Sequence, residues 1–282
     1  RPFSCVQVLT RTVGPGVRPR PTCRSRGVPD GPSVAAPAVR RTVVLGAVQP
    51  PGAQRGRLPT PEVIHVPVVL LTGFEPFGGQ TVNPSWQAVQ RLAAAWDGPA
   101  ELVTLELPVD FRTAGPALAD AVERSQPDLV VAVGQAGGRP DVTVERVAIN
   151  VDDARIPDNG GFSPVDEPVV PGGPAAYFAT LPVKACVAAM TSAGVPASVS
   201  QTAGTFVCNH VFYQVMHELA GRSAGGLVAR GGFVHVPFTP EQAAGTRHPS
   251  MALEVITAGL DVIVRTSLST GADLRVTGGT TH

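Results

Sequence analysis

The residue whose setting most resembles that of a reagent is Cys208. It lies in TAGTFVCNHVFYQVMHEL (202–219), which begins as a strand end and takes helical spacing near the cysteine. A thiol at a helix amino terminus faces N–H groups without helical acceptors and the positive end of the helix dipole, both of which favour thiolate. The same N–H groups can hold an oxyanion. A free cysteine is also a common core filler, and Cys186, midway along VKACVAAM, fits that description. What separates the two roles is a base within reach.

Three histidines are candidates. His210 is two positions from Cys208 on the same helix and should project away from it, and His217 belongs to the helix body. His235 ends the apolar strand GGFVHVP, where strand geometry can aim it into a cleft at the carboxyl edge of a sheet, so it is the chosen base. Glu145 interrupts the apolar positions Val142, Val144, Val147 and Ile149. Two readings stand at this point: a buried carboxylate partnered by an imidazole, or an exposed strand residue paired with Arg146 or Arg155.

Two glycine-containing loops follow apolar strands. GFEPFGG (73–79) lacks the G-x-x-x-x-G-K-[ST] spacing of a phosphate loop, which excludes that kind of nucleotide site. Its Phe74 and Phe77 can wall a small flat pocket, or they can plug the sheet end. VGQAGGR (133–139) offers Gln135 as donor and acceptor for an amide, with Arg139 either part of a site or solvated on a left-handed turn. Asp152, Asp153 and Asp158 cluster in one loop, but their spacing matches no ligand signature, so neither metal nor cofactor is expected.

These residues need a frame. Segments 66–74, 102–109, 128–134, 142–151, 197–203 and 231–237 are short, β-branched and bounded by Gly, Pro or Asp, as strands are. Between them, 84–97, 110–125, 183–193 and 209–222 carry helical spacing, and 249–268 supplies a last helix. The alternation predicts a single-domain, three-layer α/β/α sandwich with a largely parallel, mixed central sheet over 67–282. Near-continuous apolar strands fit a sheet covered on both faces.

Residues 1–66 differ in kind. They hold 11 Pro and ten Arg against only Asp30 and Glu62, without sustained periodicity, and read as a disordered extension or a start assigned too far upstream. The chain is neutral overall, so the remainder is acidic and offers no basic stripe to a nucleic acid. Four dispersed cysteines suggest a reducing compartment, and no apolar run reaches the length of a membrane span. A cytoplasmic location is expected.

Taken in order, LLTGFEPFGG with NPS at 83–85, GQAGGR, ERVAINV with DARIPDNGG, TAGTFVCNHVFY and GFVHVPFTPEQ resemble pyroglutamyl peptidase type I, a family of cysteine exopeptidases. The resemblance covers about residues 67 to 268 and implies a triad of Glu145, Cys208 and His235. It also implies a pocket with Phe74 and Phe77, supported by Asn83, Gln135, Phe206 and Val207, and a role for Arg155 in charge stabilisation. The implied substrates are peptides with an amino-terminal pyroglutamate (5-oxoproline), and the implied assembly is a homo-oligomer, a tetramer in similar members. Two rivals are a cysteine amidase with an altered pocket and a silent binding protein on the same fold.

Overall fold

A computed structural model describes residues 65–224, 226 and 229–279; the proposed extension falls almost entirely outside them. The main sheet contains β1 (Val68–Phe74), β2 (Glu101–Leu107), β3 (Leu129–Gln135), β4 (Val142–Glu145), β7 (Ala197–Ser200) and β8 (Arg230–Val236). A second sheet pairs β5 (Val147–Ile149) with β6 (Ala176–Phe178). The main order is β2-β1-β3-β8-β4-β7. β2, β1, β3 and β8 run parallel, whereas β4 is antiparallel to β8 and parallel to β7. The sheet is therefore mixed and largely parallel, as the alternation of elements predicts.

The helices are α1 (Pro84–Ala95), α2 (Ala114–Ser125), α3 (Val183–Ser192), α4 (Val207–Ala224), the short α5 (Pro240–Ala243) and α6 (Leu253–Ser269). Side-chain alternation along the strands sorts the core into two layers. Val69, Leu71, Val131, Val133, Val144 and Val234 pack with residues of α1, α3 and α6, while Leu70, Phe74, Val130, Ala132 and Phe233 pack with residues of α2 and α4. Each of these Val, Leu and Phe side chains contributes about 1.5–3 kcal/mol by leaving water. This explains why β1 and β3 are apolar at consecutive positions rather than alternate ones.

Two expectations need correction. The segment 142–151 is not one strand: Arg146 separates β4 in the main sheet from β5 in the two-stranded one. Helix α2 begins at Ala114 rather than 110, because Asp110 Oδ1 accepts from the N–H groups of Arg112 (2.8 Å) and Thr113 (2.9 Å) and builds a turn before the helix. Among the described residues, no helix is long and apolar enough to cross a membrane.

Candidate active site

Cys208 is the second residue of α4, so its N–H belongs to the first helical turn, where no intrahelical acceptor exists. Asn209 ties this turn to β5: its side-chain oxygen accepts from Ile149 N (3.1 Å), and its amide donates to the carbonyls of Ile149 and Val151 (2.9 Å each). On the other side, Thr205 exchanges bonds with the backbone of Asp153. The nucleophile candidate therefore sits on a turn anchored from both flanks.

Gly134 shows where the sulfur lies. A Cβ placed on this glycine would come within 2.9 Å of Cys208 Sγ and 2.8 Å of the Phe233 ring, closer than a real methyl group can sit. Gly134 is the direct neighbour of His235 across the β3–β8 pairing. The thiol thus rests over β3 in the space of a missing side chain, one strand from the imidazole. Glycine in the interior of a strand commonly marks such a close approach.

Glu145 is fully buried, and His235 nearly so. Thr143 lies directly across from His235 on the antiparallel β4–β8 pair, so Glu145 reaches the imidazole diagonally, on the same face of its strand as Thr143. His235 Nδ1 and Glu145 Oε1 are 2.7 Å apart. Arg139 Nη1 donates to the same Oε1 at 2.7 Å and to Thr143 Oγ1 at 2.5 Å, while Nη2 donates to Thr202 O at 3.0 Å. Of the two readings of Glu145, burial with an imidazole is the observed one. Arg139 is not a solvated turn residue but the carboxylate's second partner, which the loop sequence alone did not reveal.

Burial pushes the Cys208 thiol up to about 12, with the Glu145 charge adding to the effect and the Arg139 charge opposing it. The helix end, expected to favour thiolate, is opposed here by burial. Burial holds His235 below its ordinary value; Glu145 works against that shift, and Arg139 reinforces it. Thiol and imidazole are thus both neutral at pH 7, so the sulfur would have to give up its proton to become a nucleophile.

Beside the sulfur, Phe74, Phe77, Asn83, Val109, Gln135, Phe206, Val207 and Cys208 enclose one cavity. Phe77 meets Phe206 at 6.3 Å between centroids, and Phe111, absent from the sequence reading, braces Phe206 edge-on at 5.3 Å. Asn83 caps α1 through Ser85 N (3.1 Å) and donates to Glu75 O (2.9 Å), so it fastens the aromatic loop from below. Arg155 is exposed and does not line this cavity.

The remaining candidates have other partners. His210 Nδ1 lies 2.7 Å from Asp152 Oδ2, and His217 Nδ1 lies 2.9 Å from the Tyr177 hydroxyl. Asp158 accepts from the N–H groups of Phe111 (2.9 Å) and Phe162 (2.8 Å). A larger cavity, about 230 Å³, lies toward the other end of β8 beside Arg146, Lys184 and Arg230. All three cations donate to carbonyls of residues 267–278, which accounts for their convergence.

A thiol at a helix start, one strand from a carboxylate-bound imidazole, is the equipment of a cysteine-type hydrolase. The pyroglutamyl peptidase family profile matches residues 67–270. A pyrrolidone-carboxylate peptidase of Clavibacter michiganensis is 56% identical over 214 residues, covering 76% of this chain and 99% of the relative. One from Cupriavidus taiwanensis is 58% identical over 220 residues, covering 77% and 100%. The crystal structure of pyroglutamyl peptidase I from Bacillus amyloliquefaciens is similar, with a TM-score of 0.72 and 48% identity, covering 75% of this chain and all of that one. The chain belongs to the pyroglutamyl peptidase family, cysteine-type hydrolases that remove an amino-terminal pyroglutamate.

Proposed function

We propose that this chain cleaves the amide bond after an amino-terminal pyroglutamate with Cys208 as nucleophile, His235 as general base and then acid, and Glu145 as the group that orients His235. The observation that carries this reading is the convergence of Cys208 Sγ over Gly134, beside His235, with His235 Nδ1 held by Glu145. With Nδ1 engaged by the carboxylate, Nε2 is the nitrogen left to take the thiol proton. Sulfur attacks the scissile carbonyl, first-turn N–H groups of α4 receive the oxyanion, and protonated His235 supplies the proton to the leaving amine. Water then releases pyroglutamate from the thioester, again with His235 as base.

The lactam ring is flat and uncharged, which suits the aromatic walls of Phe74, Phe77 and Phe206. A charged prolyl or glutamyl amino terminus would lose its hydration there without gaining a counter-ion. The test is fluorophore release from pyroglutamyl, prolyl and glutamyl amides, with and without chelator. The pyroglutamyl amide should be preferred by at least about 100-fold, with chelator inert; comparable turnover of the three would sink the pocket assignment. Phe77→Ala should raise KM about tenfold with little change in kcat, since it removes a wall used equally by substrate and transition state. A fall confined to kcat would contradict that role.

Arg139 gives a pH prediction. Attack requires neutral His235, whose protonation point lies below the ordinary value of about 6.5. Activity should therefore persist as pH falls through that value and disappear below it. Arg139→Met removes a cation that helps keep His235 deprotonated, so the acid limb of kcat/KM should move to higher pH, with about a tenfold larger deficit at pH 6 than at pH 8. An unmoved limb would remove Arg139 from the electrostatic account.

A tetrameric assembly, like that of similar family members, is proposed as well, and sedimentation of the purified chain tests it. A cytoplasmic location rests only on the composition, and fractionation of the source cells tests it.

A further inference from the structure

Gln135 is a pocket side chain whose polarity the surrounding hydrogen bonds fix, and the residue that fixes it lies outside the pocket. Gln242, on α5, accepts from Thr239 N at Oε1 (3.1 Å), in a capping box. A backbone N–H can only donate, so this end of the Gln242 amide must be oxygen. Its Nε2 then donates to Val82 O (3.3 Å), which can only accept, and to Gln135 Oε1 (2.9 Å). Turning the Gln242 amide over would lose the cap and set oxygen against oxygen at Val82. Gln135 Oε1 is therefore committed, which leaves its Nε2 as the end of the amide free to face the cavity.

We infer that Gln242 is a specificity-determining positioning residue: by locking the Gln135 amide, it makes the pocket present N–H donors to the ring of the bound residue. This rests on reading the cavity as the lactam pocket. A ring carbonyl satisfies those donors, whereas a prolyl ring, with a CH2 in place of that carbonyl, leaves them unpaired and is rejected. Selection for the lactam oxygen thus depends on a side chain of α5 and a backbone N–H, neither of which lines the cavity. The bond to Val82 O also joins the lock to the residue preceding Asn83, under the aromatic loop.

The decisive variant is Gln242→Glu. Glutamate keeps the oxygen that caps Thr239 N and is a favoured residue at that capping-box position, but it has no N–H to donate. Gln135 must then give its own N–H groups to the new carboxylate and turn its oxygen to the pocket, reversing the polarity. Two probes are used as competitive inhibitors: 2-pyrrolidone, which has the ring carbonyl and N–H, and cyclopentanone, which has only the carbonyl. Both should weaken at least about tenfold in Gln242→Glu, and kcat/KM for a pyroglutamyl amide should fall about 100-fold, mostly through KM. Gln242→Met, which unlocks the amide without reversing it, should give the smaller loss.

The rate and pH profile of Cys208 alkylation by iodoacetamide should stay within about twofold of wild type in both variants. A merely structural role would move alkylation in step with substrate loss. Parallel loss of the two, or unchanged inhibition by cyclopentanone in Gln242→Glu, would overturn the inference. If the Gln242→Glu variant does not fold, the same probes on Gln242→Met decide: equal affinity to wild type overturns the lock, and weakened affinity with unchanged alkylation supports it. The wild type tests the pocket separately, because failure to bind either probe would refute the lactam reading itself, whereas a wild type that binds and variants that do not differ would refute only the lock.

Discussion

Cys208→Ala is expected to lower hydrolysis of a pyroglutamyl amide by about 10⁴-fold or more, and His235→Gln by a similar amount, with the double variant no worse than either single one. The equality follows from the geometry. With the thiol pushed up to about 12, sulfur without a base is a neutral thiol at pH 7, and His235 without sulfur has no proton to remove. Groups that act as one unit lose nearly everything when either is removed. Additive losses in the double variant would mean independent roles, and full activity in Cys208→Ala would end the cysteine mechanism.

Gly134→Ala should be the most damaging change at a residue that neither titrates nor lines the pocket. Its new methyl would meet Cys208 Sγ at 2.9 Å and the Phe233 ring at 2.8 and 3.0 Å. Phe233 is wedged against Phe74 and Phe212 and packs on His235, so it has little room to retreat. The sulfur, on the more exposed side, yields instead. A displacement of about 1 Å from the attacking position costs on the order of 100-fold in kcat. The expected result is a folded protein with that loss in kcat and a KM close to wild type. Unchanged kcat would show that the sulfur does not occupy the space over Gly134.

Much of this arrangement is legible in the sequence. Strand and helix alternation pointed to the layered sheet, and the placement of His235 at a strand end and Cys208 at a helix start follows from local pattern alone. Other features were present in the sequence but easily misread. Apolar positions fall on Val142 and Val144, then on Val147 and Ile149. That slip from even to odd numbers across Arg146 marks the change of sheet, because a strand that keeps its face keeps its parity. Gly134 inside an apolar strand was likewise a visible sign of close approach.

What could not be read was pairing across the chain. Nothing local distinguishes an arginine that ends a turn from one that reaches Glu145, six residues on, across an intervening bend, so Arg139 was legible only once β4 had been placed beside β8. The antiparallel entry of β4 is equally non-local, yet it brings Glu145 diagonally to His235. The raised thiol also escaped the sequence argument, which sees the helix end but not the burial that pushes the thiol up.

If Cys208 is the nucleophile, its sulfur carries the pyroglutamyl group during turnover. Acid quenching of the enzyme in the steady state with a pyroglutamyl ester, followed by intact-mass and peptide mass spectrometry, tests it most directly. A single added pyroglutamyl group is expected on the peptide containing Cys208, labile to hydroxylamine as a thioester is, and absent from Cys208→Ala. Turnover with no adduct in the wild type, or an adduct on another residue, would contradict it.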